Sequence, residues 1–456
     1  MTNIAVILAG GTGSRLGYAT PKQFFKVAGK TVIEHTIDIF ENNKNIDEIA
    51  IVSHEAYISA MEDIVLKNEW TKTRKILAGG KERYESSLAA INAYRHLPGS
   101  NLIFHDAVRP LLNQRILDDV VTALEHHSAI DVAVAATDTI IEVDAEGYFI
   151  ENIPNRNLLR RGQTPQAFKT EVIAKAYDIA LQDPAFVSTD DCGIVVKYLP
   201  EVKVYVVRGE ESNMKLTYKE DSYLLDKLFQ LQSFALYHDI DFRNLKDKVL
   251  VIFGGTSGIG EKIREIAESY GAKVFSFSRS GTHTDIGNRA DVKQALEQVY
   301  SQTNRIDYVV NSAAVLCKEP LISMTSETID EMIKTNYNGM VYVAMESYPY
   351  LKKSEGHLLL YTSSSYTRGR SFYSIYSSTK AAVVNFTQAI SQEWERENIR
   401  VNVVNPERTK TPMRTKNFGN EPDHTLLSPE RVAETSLKIL LSDFTGQVID
   451  VKLKKE

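Results

Sequence analysis

The second half of the chain carries Ser363 in YTSSSYTRG, followed by Tyr376 and Lys380 in YSSTK. A tyrosine and a lysine at i and i+4 share one face of a helix. The ammonium lowers the phenol's pKa, so the tyrosine can act as general acid or base near neutral pH, and a serine hydroxyl beside it can hold a carbonyl. A YxxxK pair is common by chance. The upstream serine and an earlier glycine-rich turn in the same half argue for proton transfer at a carbonyl. The N-terminal segment IAVILAGGTGSRLGYATPKQ poses a different problem. Gly10, Gly11 and Gly13 follow an apolar strand and let backbone N–H groups approach an anion closely. Arg15 and Lys22 add two cations that suit a polyphosphate. The spacing fits neither GxGxxG nor the Walker pattern, so a dinucleotide loop, a triphosphate loop and a plain tight turn all stay open from the glycines alone.

The glycine-rich turn of the second half is VLVIFGGTSGIG, with Gly254, Gly258, Ile259 and Gly260 between a strand and the amphipathic stretch EKIREIAESYG. That context predicts a pyrophosphate at a helix N-terminus. The next strand, VFSFS, leads to Arg279, about where an acidic residue would bind the 2′-hydroxyl of NAD. An arginine there suits a 2′-phosphate and predicts NADPH.

These residues need elements to position them. Apolar β-branched runs alternate with amphipathic stretches: IAVILA, EIAIVS, NLIFHDA and DVAVAA in the first half, then VLVIF, AKVFSFS, DYVVNSAA, HLLLYTSSS, VNVVNP and GQVIDVKL in the second. The pattern predicts an α/β chain of two Rossmann-like doubly wound domains with largely parallel sheets. The expected division is 1–230, a connector 231–244, and 245–456; the connector region lacks Gly and Pro, which predicts a packed rather than a loose join. Residues 140–153, IIEVDAEGYFIENI, read as a β-hairpin arm. Such an arm either reaches a neighbouring subunit, giving a homodimer, or lies on the surface of a monomer.

At 456 residues and a net charge of −6 the chain has no basic field for nucleic acid or anionic lipid, so phosphate ligands must be met by a few placed cations. No run approaches the ~18 apolar residues of a membrane helix, and the N-terminus has no basic leader or export-type core; the expected compartment is the cytoplasm, with small-molecule partners only. Cys192 and Cys317 are too few for a disulfide framework and read as reduced core thiols. His105 and Asp106 are neighbours in a strand, facing opposite sides, so one of them should be packed. His126 and His127 receive no role.

The first half resembles the cytidylyltransferases that act on polyol phosphates, a group including the methylerythritol phosphate and ribitol 5-phosphate enzymes. The resemblance rests on LAGGTGSR, PKQF, GGKERYESS, HDAVRPLL, RRGQTPQAF, STDDCGIV and ESNMKLT in that order, over roughly residues 1–230. It implies CTP plus an alditol phosphate giving a CDP-alditol and pyrophosphate, with the substrate's own phosphate as nucleophile, so that catalysis is positioning and charge neutralisation. By motif match, Arg15, Lys22 and Lys215 contact the CTP phosphates, Asp106 holds Mg²⁺, and Gly10, Gly11 and Gly13 line the phosphate loop. Gly80, Arg83 and Ser86 lie around the cytosine and ribose, and Arg109 and Arg156 serve the alditol phosphate. Asn155 stands where the isoprenoid enzymes place an acidic residue.

The second half is similar to the short-chain dehydrogenase/reductase family over roughly residues 245–456, through GGTSGIG, ADV, NSAA, KTNYNG, the Ser363, Tyr376 and Lys380 set, and VNVVNPERTKTPM. The family implies that Asn336 completes the catalytic set through a relay water, that Asp291 approaches the adenine, and that Asn311 and Thr411 line the cofactor. Glu407 replaces a common glycine, and the short tail after Met413 favours a small substrate.

A reductase that makes an alcohol joined to a transferase that uses an alditol phosphate implies one shared metabolite. Ribulose 5-phosphate, ribitol 5-phosphate and CDP-ribitol satisfy both ends, as for a capsule or teichoic-type polymer. The alternatives are a methylerythritol phosphate cytidylyltransferase, or another CDP-alditol enzyme, fused to an unrelated or non-catalytic reductase domain.

Overall fold

The computed structural model describes residues 1–11, 21–188, 190–232 and 240–453. They form two compact units, Met1–Asp226 and Lys227–Glu456. Gly13, Arg15 and connector residues 233–239 lie outside the described residues.

The first unit is built on a seven-stranded sheet. The strand Thr2–Ala9 pairs in parallel with Glu48–Ser53 on one side and with the central strand, Ser100–Asp106, on the other. Ile4 to Ile7 are fully buried because helices cover both faces, which is why the strand reads as an unbroken apolar run rather than an alternation. The helix Val32–Glu41 packs Ile33, Ile37 and Phe40 on one face, and Arg83–Tyr94 packs Ala90, Ile91 and Tyr94 on the other. Thr31 and Glu34 close a reciprocal capping box at the start of the former. Three strands escaped the pattern reading. Thr73–Ala78 and Val204–Arg208 form the sheet's edges, and Arg160–Lys169 runs antiparallel to both its neighbours, so the sheet is mixed.

The hairpin arm is present as the short antiparallel pair Glu142–Val143 and Ile150–Asn152, turned at Asp144–Gly147. Gly147 takes φ +80°, a conformation few other residues accept. Tyr148 and Phe149 in the arm are 81% and 72% exposed, and Leu158 in the turn that follows it is 80% exposed, an unusual load of apolar surface for so short a stretch.

The second unit holds a six-stranded, all-parallel sheet ordered Lys273–Phe277, Val249–Phe253, Tyr308–Asn311, His357–Tyr361, Arg400–Pro406, Val448–Val451. The chain leaves Val249–Phe253 to one side and later returns to the other, so a crevice opens at the carboxyl ends of Val249–Phe253 and Tyr308–Asn311. After the connector residues outside the description, Leu245 is fully buried in this unit's core, with Ile240 and Phe242 packed against it.

The two cysteines part company. Cys192 is buried as expected; Cys317 is only partly buried, its Sγ 3.8 Å from Glu319 Oε2, because it follows a strand end in a loop and not a core element. No helix among the described residues is long and apolar enough to cross a membrane.

Candidate active sites

In the first unit the site residues gather where the parallel strands end. Thr2–Ala9 delivers Gly10 and Gly11, and Ser100–Asp106 delivers Asp106 beside them. A Cβ on Gly10 would stand 3.0 Å from Ser86 Oγ, and one on Gly80 would stand 2.3 Å from Glu85 Cβ, so both glycines permit close approach of the loops to the helix Arg83–Tyr94. Lys22 opens the short 3-10 turn Lys22–Phe24, its Cε 4.0 Å from where a Gly11 Cβ would be. Gln23 anchors that turn by donating to the Ala9 carbonyl at 2.9 Å.

Asp106 is the electrostatic centre. Its Oδ2 lies 3.0 Å from Lys215 Nζ and 3.2 Å from Arg109 Nε. Burial raises its pKa, but Lys215, Arg109 and Arg83 outweigh that and hold the carboxyl well below the usual carboxylate range. Among the described residues Oδ1 takes no hydrogen bond. Arg109 is held in turn by the Asn213 carbonyl at 2.8 Å. Arg83 pairs with the fully buried Asp191 at 2.7 Å, and Tyr177 donates to the other oxygen of Asp191 at 2.6 Å. Asp191 sits in STDDCGIV, a motif whose carboxylates had been given no role.

His105 is the packed member of its pair. Its Nδ1 lies 3.0 Å from Thr164 Oγ1, its Nε2 3.1 Å from the Arg109 carbonyl, and burial pushes its pKa down to about 4. His127 stacks on Tyr205 with centroids 4.2 Å apart, away from the cluster. Arg156 is not brought to Asp106 by any contact among the described residues. It lies exposed at the root of the arm and donates to the Thr137 carbonyl at 3.0 Å.

In the second unit the crevice is a cavity of about 470 Å³ lined by Gly254, Gly258, Ile259, Gly260, Arg279, Ser363, Tyr376, Lys380 and Thr411. The glycines are required by geometry. Gly254 has φ +86° and a Cβ there would meet Ala313 N at 2.6 Å; on Gly260 it would meet the Gly254 carbonyl at 2.3 Å. Thr411 caps the helix Pro412–Phe418 by accepting from Arg414 N at 3.2 Å.

Tyr376 and Lys380 lie on the helix Ser374–Glu393, with Lys380 Nζ 5.7 Å from the Tyr376 ring centroid. Lys380 is buried and donates to the Tyr361 carbonyl at 2.9 Å; burial pushes its pKa down to about 8. Burial pushes Tyr376 up to about 12, against a hydrogen bond with Ser363 that lowers it.

Three of the expected residues are not in the cavity's lining. Asp291 does not line the cavity. It sits in the first turn of the helix Arg289–Thr303 and accepts from Asp285 N at 3.0 Å, so Asp285 and Ile286 form the wall that it supports. Asn311 lies just behind the wall, its Oδ1 accepting from Ala313 N at 3.3 Å. Asn336 is buried in a single π-helical turn, Lys334–Asn338, with its amide bonded to both the N–H and the carbonyl of Val315 at 2.8 Å. Its side chain thereby fixes the loop after Tyr308–Asn311. Arg279 does line it, and is ion-paired with Glu331. Arg370 and Arg414, which pattern reading passed over, line the tyrosine end.

Known proteins resemble each half of the chain, and one resembles the whole of it. Residues 3–230 match the family model described as 2-C-methyl-D-erythritol 4-phosphate cytidylyltransferase, and residues 248–422 that described as short chain dehydrogenase. A 2-C-methyl-D-erythritol 4-phosphate cytidylyltransferase of Thermobifida fusca is 41% identical over 230 residues, 50% of this chain and 92% of that one. The solved 4-diphosphocytidyl-2C-methyl-D-erythritolsynthase of Anaerococcus prevotii is 30% identical, with 50% of this chain and 98% of that chain covered and a TM-score of 0.45. A Haemophilus influenzae protein named bifunctional ribulose 5-phosphate reductase/CDP-ribitol pyrophosphorylase is 50% identical over 459 residues, spanning 100% of this chain and 96% of its own. With identity that high along both halves, the chain belongs to the family of bifunctional ribulose 5-phosphate reductase/CDP-ribitol pyrophosphorylases.

Proposed function

We propose that the second unit reduces D-ribulose 5-phosphate to D-ribitol 5-phosphate with NADPH, and that the first transfers CMP from CTP to that product, giving CDP-ribitol and pyrophosphate for a capsule or teichoic-type polymer. The observation that carries this reading is the full-length match to a relative bearing both activities in its name. The transferase domain is taken as 1–230, the connector as 231–244 and the reductase domain as 245–456.

The glycine turn of the reductase cavity fits a nicotinamide cofactor, because Cβ atoms at Gly254 and Gly260 would collide with Ala313 and with the Gly254 carbonyl and so force apart the tight strand-to-helix turn at which a pyrophosphate is held. The nicotinamide, when bound, supplies the hydride. Tyr376 donates its proton to the carbonyl oxygen while Ser363 holds that oxygen, and Lys380 steadies the charge left on the phenol. Arg279 at the cavity wall supports NADPH over NADH, since a 2′-phosphate can replace Glu331 as its partner.

In the first unit Asp106 fits Mg²⁺: one carboxylate with an open oxygen, next to cations for phosphates, is how that ion is usually held when the nucleotide supplies the remaining ligands. Mg²⁺, when bound, would offset charge on the triphosphate. Lys22 and Lys215 would contact the phosphates together with Arg15, Gly10, Gly11 and Gly13 would give them backbone N–H groups, Gly80, Arg83 and Ser86 would hold the nucleoside, and Arg109 would take the alditol phosphate, with Arg156 reaching it from the arm of a second copy. The exposed apolar arm supports a homodimer, and the absence of any long apolar helix among the described residues is compatible with the cytoplasm.

The test is substrate ranking on the purified chain. Ribitol 5-phosphate should be cytidylylated in preference to methylerythritol 4-phosphate; the reverse ranking would make the first unit an isoprenoid-type enzyme.

A further inference from the structure

The tyrosine end of the reductase cavity carries more positive charge than hydride and proton transfer use. Arg370 and Arg414 both line it, near Tyr373 and Tyr376. Arg370 belongs to the loop between the strand His357–Tyr361 and the helix Ser374–Glu393. Its guanidinium donates to Ser364 Oγ at 3.0 Å and lies 3.5 Å from the Tyr373 hydroxyl. The Tyr373 ring stands 6.4 Å from Tyr376 and 6.2 Å from Phe418, and the Arg414 guanidinium covers Phe418 at 3.7 Å. One aromatic row therefore has an arginine at each end, with Tyr376 beside it.

The two arginines differ in their partners. Arg414 is matched by Glu421 through bonds of 2.6 and 2.9 Å. Arg370 has only hydroxyl and carbonyl partners among the described residues. Glu407, an acidic residue on the same wall, spends its Oε2 on the Leu453 N–H at 2.9 Å. A guanidinium with neutral partners, facing a cavity next to a carbonyl-reducing tyrosine, is a receptor for a dianion. An open-chain ketose phosphate carries its carbonyl and its phosphate at separate places along the chain, which matches Tyr376 and Arg370 as separate anchors.

Resting on the reductase reading above, we propose that Arg370, seconded by Arg414, is the phosphate anchor of the reductase cavity and selects phosphorylated ketoses over free sugars. The experiment follows NADPH oxidation by the full chain with ribulose 5-phosphate and with free ribulose, in wild type, Arg370→Gln and Arg370→Lys. Arg370→Gln should raise KM for ribulose 5-phosphate ~10- to 100-fold, the usual worth of a charge-assisted bond. The preference for the phosphorylated sugar should fall by the same factor, and Arg370→Lys should recover part of it. Inorganic phosphate should compete with ribulose 5-phosphate in wild type and compete far more weakly in Arg370→Gln. A preference unchanged in Arg370→Gln, or equal losses on both sugars, overturns the anchor. A wild type inert toward ribulose 5-phosphate overturns the reductase reading beneath it, which is a separate and recognisable result.

Discussion

Replacing Lys380 by methionine isolates the charge that the proposed proton transfer depends on. The substitution keeps the length of the side chain and removes an ammonium that lies 5.7 Å from the Tyr376 ring centroid. At that separation and an effective dielectric near 20, Coulomb's law gives about 3 kcal/mol between an ammonium and a phenolate. That is about two pKa units on the tyrosine. Since Tyr376 gives up its proton during reduction, kcat should fall by up to ~100-fold. Misfolding would not explain the loss, because the variant removes a buried cation whose pKa burial already pushes down to about 8; the thermal midpoint of this unit should hold or rise. The wild type should also lose reductase kcat/KM as pH climbs past about 8, where Lys380 discharges in the free enzyme, and the variant should lack that limb. The assay is NADPH absorbance against ribulose 5-phosphate from pH 6 to 9, with CTP turnover as the internal control. A Lys380→Met enzyme within a factor of about three of wild type at pH 7, or one keeping the same limb, would refute the reasoning.

Further outcomes follow from the other sites. Arg279→Ala should weaken NADPH binding ~10-fold, a discounted figure because the side chain is half exposed and already paired with Glu331, while leaving NADH binding little changed; equal effects on both cofactors would argue against a 2′-phosphate contact. Asp106→Asn strands Lys215 and Arg109 around a neutral group, so the first unit should lose about 3 kcal/mol in urea unfolding and its Mg²⁺-dependent transfer, and full activity in that variant would remove Asp106 from the site. His35 and His105, both in the first unit, are pushed down to about 4 by burial. The folded state keeps them neutral while the unfolded chain binds protons from about pH 6.5. Their stability contribution is thus whole above that pH and shrinks as pH falls toward 4, by about 5 kcal/mol for the pair at pH 4.5. Stability that stays flat between pH 7 and 5 would contradict this.

Much of this protein is legible in its sequence because parallel sheets covered on both faces write their strands as continuous apolar runs. IAVILA and VLVIF, and the glycine turns behind them, could be read for that reason. Arg160–Lys169 could not: two arginines, a glycine and Pro165 interrupt it, and its place between two other strands is decided by pairing partners far away in sequence. Thr73–Ala78 and Val204–Arg208 are edge strands with little burial to mark them. At the sites, Tyr376 and Lys380 were readable because helical spacing fixes their shared face. The place of Asp291 was not legible, because ADV names a residue type but not a direction, and the chain turns so that Asp285 reaches the cavity and Asp291 braces it. Arg370 was hidden for a related reason: in an irregular loop no period says where a side chain points, and only the row of Tyr373, Phe418 and Arg414 gives it meaning.

The central claim is that one chain carries out two consecutive steps on one metabolite. It is tested most directly by incubating the purified protein with ribulose 5-phosphate, NADPH, CTP and Mg²⁺ and weighing the nucleotide product. CDP-ribitol should form, and only when both NADPH and CTP are present. NADPH left untouched while supplied ribitol 5-phosphate is still cytidylylated would contradict it.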